Sequence, residues 1–300
     1  MPERLKILLI SPGSNYSHDE HRFFRFPPLN LAVLAALAPE NEYCVIDENI
    51  APVDMEAPAV KSADLVGITV MTTQAPRAYQ VADELRRCGK TVVMGGMHVS
   101  ALPEEGLEHA DCVVIGEAEG LWPQLLDDFR RTRLEKVYRS SEFCDMRGLP
   151  VPNRSLFDRK HYLGYNTIHV SRGCPFNCSF CSVSHFFGAR YRFRPVEEVI
   201  EEIEEIIRLD NVSLLRRAVA ALWGRPAVQP VAFLDDNIFG SKDYAENLFQ
   251  KLVPLRIYWG GQASINIARP ENEHLLKLAA KSGCRFLFVG LESMDEEALA

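Results

Sequence analysis

No stretch of the 300-residue sequence approaches the ~20 consecutive apolar residues that a membrane-spanning helix needs. The apolar run near its start, Ile7-Leu-Leu-Ile10 behind Met-Pro-Glu-Arg-Leu-Lys, is too short for a secretory leader. A chain without a transmembrane segment is therefore expected. Basic charge is in deficit, with 33 Lys and Arg against 41 Asp and Glu and a net charge of −8. Such a balance gives no bulk attraction to nucleic acid, and none is expected as a partner. Paired cysteines at regular spacing are also missing. Cys44, Cys88, Cys112, Cys144 and Cys284 are scattered, which excludes a disulfide framework and suits small buried hydrophobes. Free thiols fit a reducing compartment, so the expected location is cytoplasmic.

The remaining cysteines are not scattered. Cys174, Cys178 and Cys181 lie in Ser171-Arg-Gly-Cys-Pro-Phe-Asn-Cys-Ser-Phe-Cys-Ser-Val183, with the spacing C-x3-C-x2-C. Three thiolates on one tight loop can hold three irons of a four-iron, four-sulfur cube, leaving the fourth iron open to a ligand. Structural zinc would need a fourth ligand, normally from a second cysteine pair or from histidines at fixed offsets. Only His185 is near, and no second pair follows. Pro175 stiffens the turn, and Phe180 is expected to give the loop an apolar cover.

Cys-Pro-Phe-Asn-Cys-Ser-Phe-Cys resembles the cluster motif of the radical S-adenosylmethionine (SAM) enzymes, and the likeness extends from about Asn166 to the end of the sequence. The resemblance implies a [4Fe-4S] cluster whose open iron is chelated by the amino and carboxylate groups of SAM. One electron then breaks a sulfonium C–S bond, giving methionine and a 5′-deoxyadenosyl radical. The protein's part is to position these groups in a dry pocket.

Residues 1–135 alternate short apolar strands with helices. Strands are expected at Leu5–Ile10, Tyr43–Asp47, Leu65–Val70, Thr91–Met94 and Cys112–Ile115. Helices are expected at about Leu29–Leu37, Ala75–Cys88 and Gly120–Phe129, the second with Ala78, Val81, Ala82 and Leu85 at helical spacing. Strands apolar on both faces and joined through helices predict a doubly wound, flavodoxin- or Rossmann-like domain with a parallel five-stranded sheet. Its ligand should lie at the carboxyl ends of the strands. Those ends carry Ser11-Pro-Gly-Ser-Asn15, Thr69-Val-Met-Thr-Thr73, Gly95-Gly-Met-His98 and Gly116-Glu117. Glycines there let a ligand approach the backbone.

This half resembles the cobalamin-binding domain that precedes many radical SAM cores. The resemblance makes Thr69, Met71, Gly95, Gly96 and Gly116 candidate cobalamin contacts. It departs from the cobalamin pattern Asp-x-His-x-x-Gly, whose histidine coordinates cobalt from below. His18 lies too far along to match it, and His98 reads as a surface residue. Cobalt without a protein histidine beneath it is the expectation.

Residues 136–165, with Gly148-Leu-Pro-Val-Pro152, read as an extended linker. Residues 166–300 read as the beginning of a partial (β/α) TIM-type barrel, ending after four units. Its strands are Ile168–Ser171, Val231–Leu234, Arg256–Trp259 and Arg285–Val289. A helix after Pro195 carries an apolar stripe of Val196, Val199, Ile200, Ile203, Ile206 and Ile207, with its glutamates facing water. Arg192 and Arg194 either reach a carboxylate or pair with those glutamates. By resemblance, the strand-end residues Asp235, Asp236, Gln262, Ser264 and Glu292 are candidate SAM contacts. The family barrel usually has six units, so a longer natural chain, and poor turnover by residues 1–300 alone, are expected.

Residues 211–230 exceed what a helix-to-strand loop normally needs. Leu214–Trp223 reads as an amphipathic helix, resting on a membrane surface or partner, or packing on the barrel. The expected activity is cobalamin-dependent methylation of an unactivated carbon in a lipid, tetrapyrrole or natural product. The electron donor would be a flavodoxin or ferredoxin. A radical SAM rearrangement or bond formation without cobalamin is the alternative enzyme, and a non-catalytic iron–sulfur protein the alternative outside enzymes.

Overall fold

A computed structural model of the chain describes residues 4–14, 25–162, 164–176, 178–210, 222, 226 and 229–291. The chain divides into two compact units. The first comprises Met1–Asp145 with Leu149–Leu163, and the second Met146–Gly148 with Gly164–Ala300.

The first unit is built on β1 (Lys6–Ser11), β2 (Glu42–Asp47), β3 (Leu65–Thr69), β4 (Thr91–Gly95), β5 (Cys112–Ile115) and β6 (Val137–Arg139). All run parallel, in the order β2-β1-β3-β4-β5-β6. The helices are α1 (Leu29–Leu37), α2 (Pro58–Ser62), α3 (Ala75–Arg87), α4 (Met97–Ala101), α5 (Pro103–His109) and α6 (Trp122–Arg130). They cover both faces because the strands present apolar side chains to both. Leu8, Ile10, Val66, Ile68, Val92 and Met94 pack on one side. Ile7, Leu9, Leu65, Val93 and Val114 pack on the other, with Trp122 and Leu125 of α6. The chain winds outward from β1 in both directions, so the loops after β1 and β3 diverge at the carboxyl edge.

The sheet has six strands where the sequence reading gives five. Only Tyr138 of β6 is buried, its neighbours being exposed, and a single inward residue leaves no alternation to detect. The stretch read as a linker, 136–165, is accordingly not a plain connector. Beyond β6, the backbone N–H of Asn153 donates to the carbonyl of Ala32 (3.0 Å), and the Tyr162 hydroxyl donates to Asp47 (3.2 Å).

The second unit carries a four-stranded parallel sheet of β7 (Asn166–Ile168), β10 (Val231–Phe233), β11 (Trp259–Ser264) and β12 (Cys284–Gly290). These pair in chain order, as successive units of a barrel do. A small antiparallel ladder of β8 (Ser171–Arg172) and β9 (Arg192–Phe193) stands apart from it. The outer helices are α8 (Val196–Leu209), α9 (Lys242–Leu252) and α10 (Glu273–Ser282), while α7 (Val183–Phe187) lies within the cysteine loop. The core joins Val199, Ile203 and Ile206 of α8 to Phe249 of α9 and Trp259 of β11. The Phe249 and Trp259 rings stack at 5.0 Å.

The first strand of this unit is shorter than expected, ending at Ile168, and Ser171 belongs instead to the ladder. One glutamate of α8 also departs from expectation. Glu202 is fully buried and pairs with buried Arg194. The alternative that Arg194 meets a helix glutamate therefore holds. The amphipathic segment 211–230 falls largely outside the described residues. Among those described, no helix is long and apolar enough to cross a membrane.

Candidate functional site

Two places gather the candidate residues, one at the carboxyl edge of each sheet. In the second unit the antiparallel ladder closes the cysteine loop like a clasp, because Ser171 and Arg172 pair with Phe193 and Arg192 on its far side. The N–H of Cys174 donates to the carbonyl of Gly188 (3.1 Å), and that of Cys181 to Cys178 (3.1 Å). Gly173 has to be glycine, since a Cβ there would strike the backbone carbonyls of Arg190 and Gly188. Cys174 and Cys181 are half-buried and Cys178 is exposed, all three as free thiols. Among the described residues, no three His, Cys, Asp or Glu side chains converge on one point as a single ion would require. A cube asks for something else, one sulfur on each of three separate irons, and three accessible thiols on one loop suit it. Phe180 does not cover the thiols as expected. It is 69% exposed, since its turn directs it outward.

The adjacent acids behind β10 have opposite environments. Asp235 is wholly buried. Its carboxylate accepts from the N–H groups of Val170 and Ser171, and from the Ser171 hydroxyl at 2.6 Å. Burial pushes this carboxyl up to about 7, against the pull of those three donors. Asp235 thus pins the chain just ahead of the cysteine loop. Asp236 is exposed at the strand end, as is Gln262 of β11. Ser264 is half-buried, and its hydroxyl accepts from the N–H of Asn266 (3.4 Å). Glu292 lies outside the described residues.

Two residues at this edge escape a sequence reading. The Tyr191 hydroxyl lies 3.8 Å from Cys174 Sγ and 3.2 Å from the amide nitrogen of Asn237. Asn237 also accepts from the N–H groups of Phe239 (3.2 Å) and Ser264 (3.4 Å), joining two strand ends to the cysteine loop. Burial is the main cause that pushes the Tyr191 phenol up to about 12. The one sequence signal for Asn237 is its place beside the two aspartates, and Tyr191 has none.

At the first unit's edge, side chains hold the loops after β1 and β3 together. The Gln74 amide donates to the carbonyl of Pro12 (2.7 Å) and its oxygen accepts from the N–H of Met71 (3.1 Å). Glu48 accepts from the N–H of Gly13 (3.2 Å) and Val53 (3.0 Å) and from Arg77 (2.7 Å). Burial opposes ionisation of Glu48, but Arg77 and these N–H groups outweigh it and hold the carboxyl below its usual range. Thr69 accepts from Asn30 (2.9 Å), and Met71 is exposed.

The glycines divide by function. At Gly96, with φ +103°, a Cβ would lie 2.7 Å from the carbonyl oxygen of Val70, so the chain's own turn demands glycine. Gly95 is less tight, with Val114 at 3.6 Å. At Gly116, φ +85°, and at Gly120 nothing lies within 4 Å, leaving backbone open to a ligand. That open, small-residue stretch at the carboxyl edge fits a flat cofactor with a nucleotide tail. His98 does not read as a surface residue here. It is buried, its ring nitrogen 2.9 Å from the Tyr79 hydroxyl, because α4 turns it toward α3. His18 lies outside the described residues.

Residues 21–126 match the model of the B12 binding domain, and residues 168–300 that of the radical SAM superfamily. Bacteriochlorophyllide d C-8(2)-methyltransferase of Chlorobaculum tepidum is 35% identical over 245 residues, 79% of this chain and 51% of that protein. Bacteriochlorophyllide d C-12(1)-methyltransferase of the same organism is 30% identical over 302 residues, 99% of this chain and 62% of that protein. The chain thus spans roughly half to two thirds of the length of these curated relatives. Among solved structures, the radical SAM methyltransferase TsrM of Kitasatospora setae, with cobalamin and a [4Fe-4S] cluster bound, superposes with a TM-score of 0.70 at 18% identity. That alignment covers 98% of this chain and 60% of TsrM, and it shows a shared fold. With both domain matches in one chain, in the order that the two folded units display, the protein belongs to the radical SAM enzymes that carry a B12-binding domain.

Proposed function

We propose that this protein is a cobalamin-dependent radical SAM C-methyltransferase acting on an unactivated carbon of a tetrapyrrole, lipid or natural product. The observation that carries the reading is the pairing, in one chain, of a clasped three-thiol loop with a parallel sheet whose carboxyl edge is open at Gly116, after β5. The tetrapyrrole comes first because two relatives act on bacteriochlorophyllide d. When bound, the cluster and SAM supply an electron-driven C–S cleavage, and cobalamin supplies a methyl carrier. Cys174, Cys178 and Cys181 would hold three irons. Asp236, Gln262 and Ser264 would contact SAM, with Glu292 a further candidate. Asp235 supports this set from beneath by fixing Val170 and Ser171. In the first unit, Thr69, Met71, Gly95 and Gly116 would line the corrinoid and its tail, while Gly96 shapes the turn between them.

Free thiols and an oxygen-sensitive cluster support a cytoplasmic setting, with a flavodoxin or ferredoxin as electron donor. The test is anaerobic purification with hydroxocobalamin supplied, followed by incubation with SAM, a low-potential reductant and a bacteriochlorophyllide. The expected results are a corrinoid absorption spectrum, 5′-deoxyadenosine, and a product heavier by one methylene. Cluster and 5′-deoxyadenosine without corrinoid uptake would instead point to a rearrangement or bond-forming enzyme. A cluster that never cleaves SAM would leave a passive iron–sulfur protein.

A further inference from the structure

Tyr191 leaves the cysteine loop immediately before β9, and its surroundings fix both its position and the direction of its proton. Gly240 lies under the ring so closely that a Cβ there would run into it. The Phe193 ring stands 5.6 Å away on the same side of the loop. The orientation of Asn237 follows from its other partners. Its oxygen accepts from the N–H groups of Phe239 and Ser264, so its NH₂ group must face the Tyr191 oxygen, 3.2 Å away. The phenol oxygen therefore receives a hydrogen bond from Asn237 and is left with its own proton to give. Cys174 Sγ lies 3.8 Å from that oxygen, within reach of a hydrogen bond to sulfur. A cysteine that holds iron is a thiolate and has no proton to offer. The shared proton is the phenol's.

We propose that Tyr191 donates a hydrogen bond to the Cys174 thiolate and so raises the reduction potential of the cluster, with Asn237 as the residue that aims it. Hydrogen bonds to the sulfurs of a cluster are among the levers that set its potential, because they stabilise the added negative charge of the reduced state. Asn237 binds the strand end of β11 through Ser264 as well, so the donor's aim is coupled to the edge where SAM would sit. Tyr191 and Asn237 are positioning residues in this arrangement. The inference rests on the cluster reading of the three cysteines and is independent of whether a methyl group is transferred.

The test is a redox titration, followed by electron paramagnetic resonance, of the anaerobically reconstituted protein and its Tyr191→Phe variant, with iron content measured first. Equal iron loading is expected, with the reduction equilibrium in the variant about tenfold less favourable, roughly 59 mV for a one-electron couple. Replacement of Tyr191 by 3-fluorotyrosine, a stronger donor of nearly the same shape, should move the midpoint the opposite way. An unchanged midpoint in loaded Tyr191→Phe overturns the inference alone. If that variant takes up no cluster, the fluorotyrosine protein decides, a raised midpoint supporting the inference and an unchanged one overturning it. Wild-type protein that takes up no iron overturns the cluster reading and this inference together.

Discussion

At the carboxyl edge of the first sheet, polar side chains tie the backbone of separate loops to one another. Gln74 ties Met71 to Pro12, and Glu48 ties Gly13 to Val53. In the second unit the polar side chains after β10 bear on one loop, the one that carries the cysteines. Asp235 and Asn237, both following β10, hold the start of the cysteine loop and the phenol beside Cys174. The first edge is a shelf kept bare by small residues. The second is a scaffold on which the ligand-bearing loop is mounted. Substitutions in the shelf should therefore separate turn geometry from ligand uptake, whereas substitutions in the scaffold should act on the loop from a distance.

The largest effect is expected at the loop itself. Ala at Cys174, Cys178 or Cys181 should take reconstituted iron from about four per chain to nearly none, since each thiolate holds its own iron. Cys44→Ala and Cys284→Ala should load normally, and iron analysis with the visible spectrum decides. Tightly bound zinc in the wild type after anaerobic reconstitution would break the comparison at its root.

The next effect sharpens the contrast within the shelf. Gly96→Val places a Cβ against the Val70 carbonyl at a left-handed backbone angle, and should cost roughly 3 kcal/mol or more in thermal or denaturant unfolding. Gly116→Ala keeps only the angular strain, about 1 kcal/mol, because nothing stands within 4 Å of the new methyl. Its larger consequence should be weakened cobalamin uptake, read by equilibrium dialysis. If Gly116→Ala unfolds the protein as readily as Gly96→Val, the open shelf is not open.

The last effect is a pH slope in the scaffold. The Asp235 carboxyl titrates at 3.8 when unfolded and at about 7 in its buried place. Between those values the folded chain binds the extra proton, so this group's stabilisation is complete below the lower value and lost as pH rises through the upper one. Asp235→Asn should flatten that fall, measured as unfolding free energy against pH relative to wild type. A wild-type slope unchanged by the substitution would mean that the carboxyl is ionised in place.

The doubly wound unit was legible because β1, β3, β4 and β5 are continuous apolar runs and α3 keeps a helical stripe. The cysteine loop was legible because its chemistry is local. What the sequence hid depends on distance or brevity. β6 buries a single tyrosine, and α2, α4 and α5 are too short to show a period. The split between Asp235 and Asp236 could not be read either. Adjacent acids at a strand end look equivalent until one is seen to turn inward onto Val170 and Ser171. Gly96 and Gly116 look alike in sequence and differ only in whether backbone or open space stands where a side chain would go. Tyr191 and Asn237 stand 46 positions apart, and nothing local joins them.

The clasp formed by β8 and β9 has a consequence for the order of assembly. Both of its strands, and all three cysteines between them, precede β10 in the chain. As the polypeptide leaves the ribosome, the thiol set and its clasp emerge first, and closing so short a loop carries a small entropic cost. Asp235 and Asn237 arrive later and bear on a loop already able to capture metal. Capture then belongs to the early segment and retention to the late one. Iron should enter Asp235→Asn protein at the normal rate yet leave faster to a chelator, and equal rates of loss would undo that division of labour.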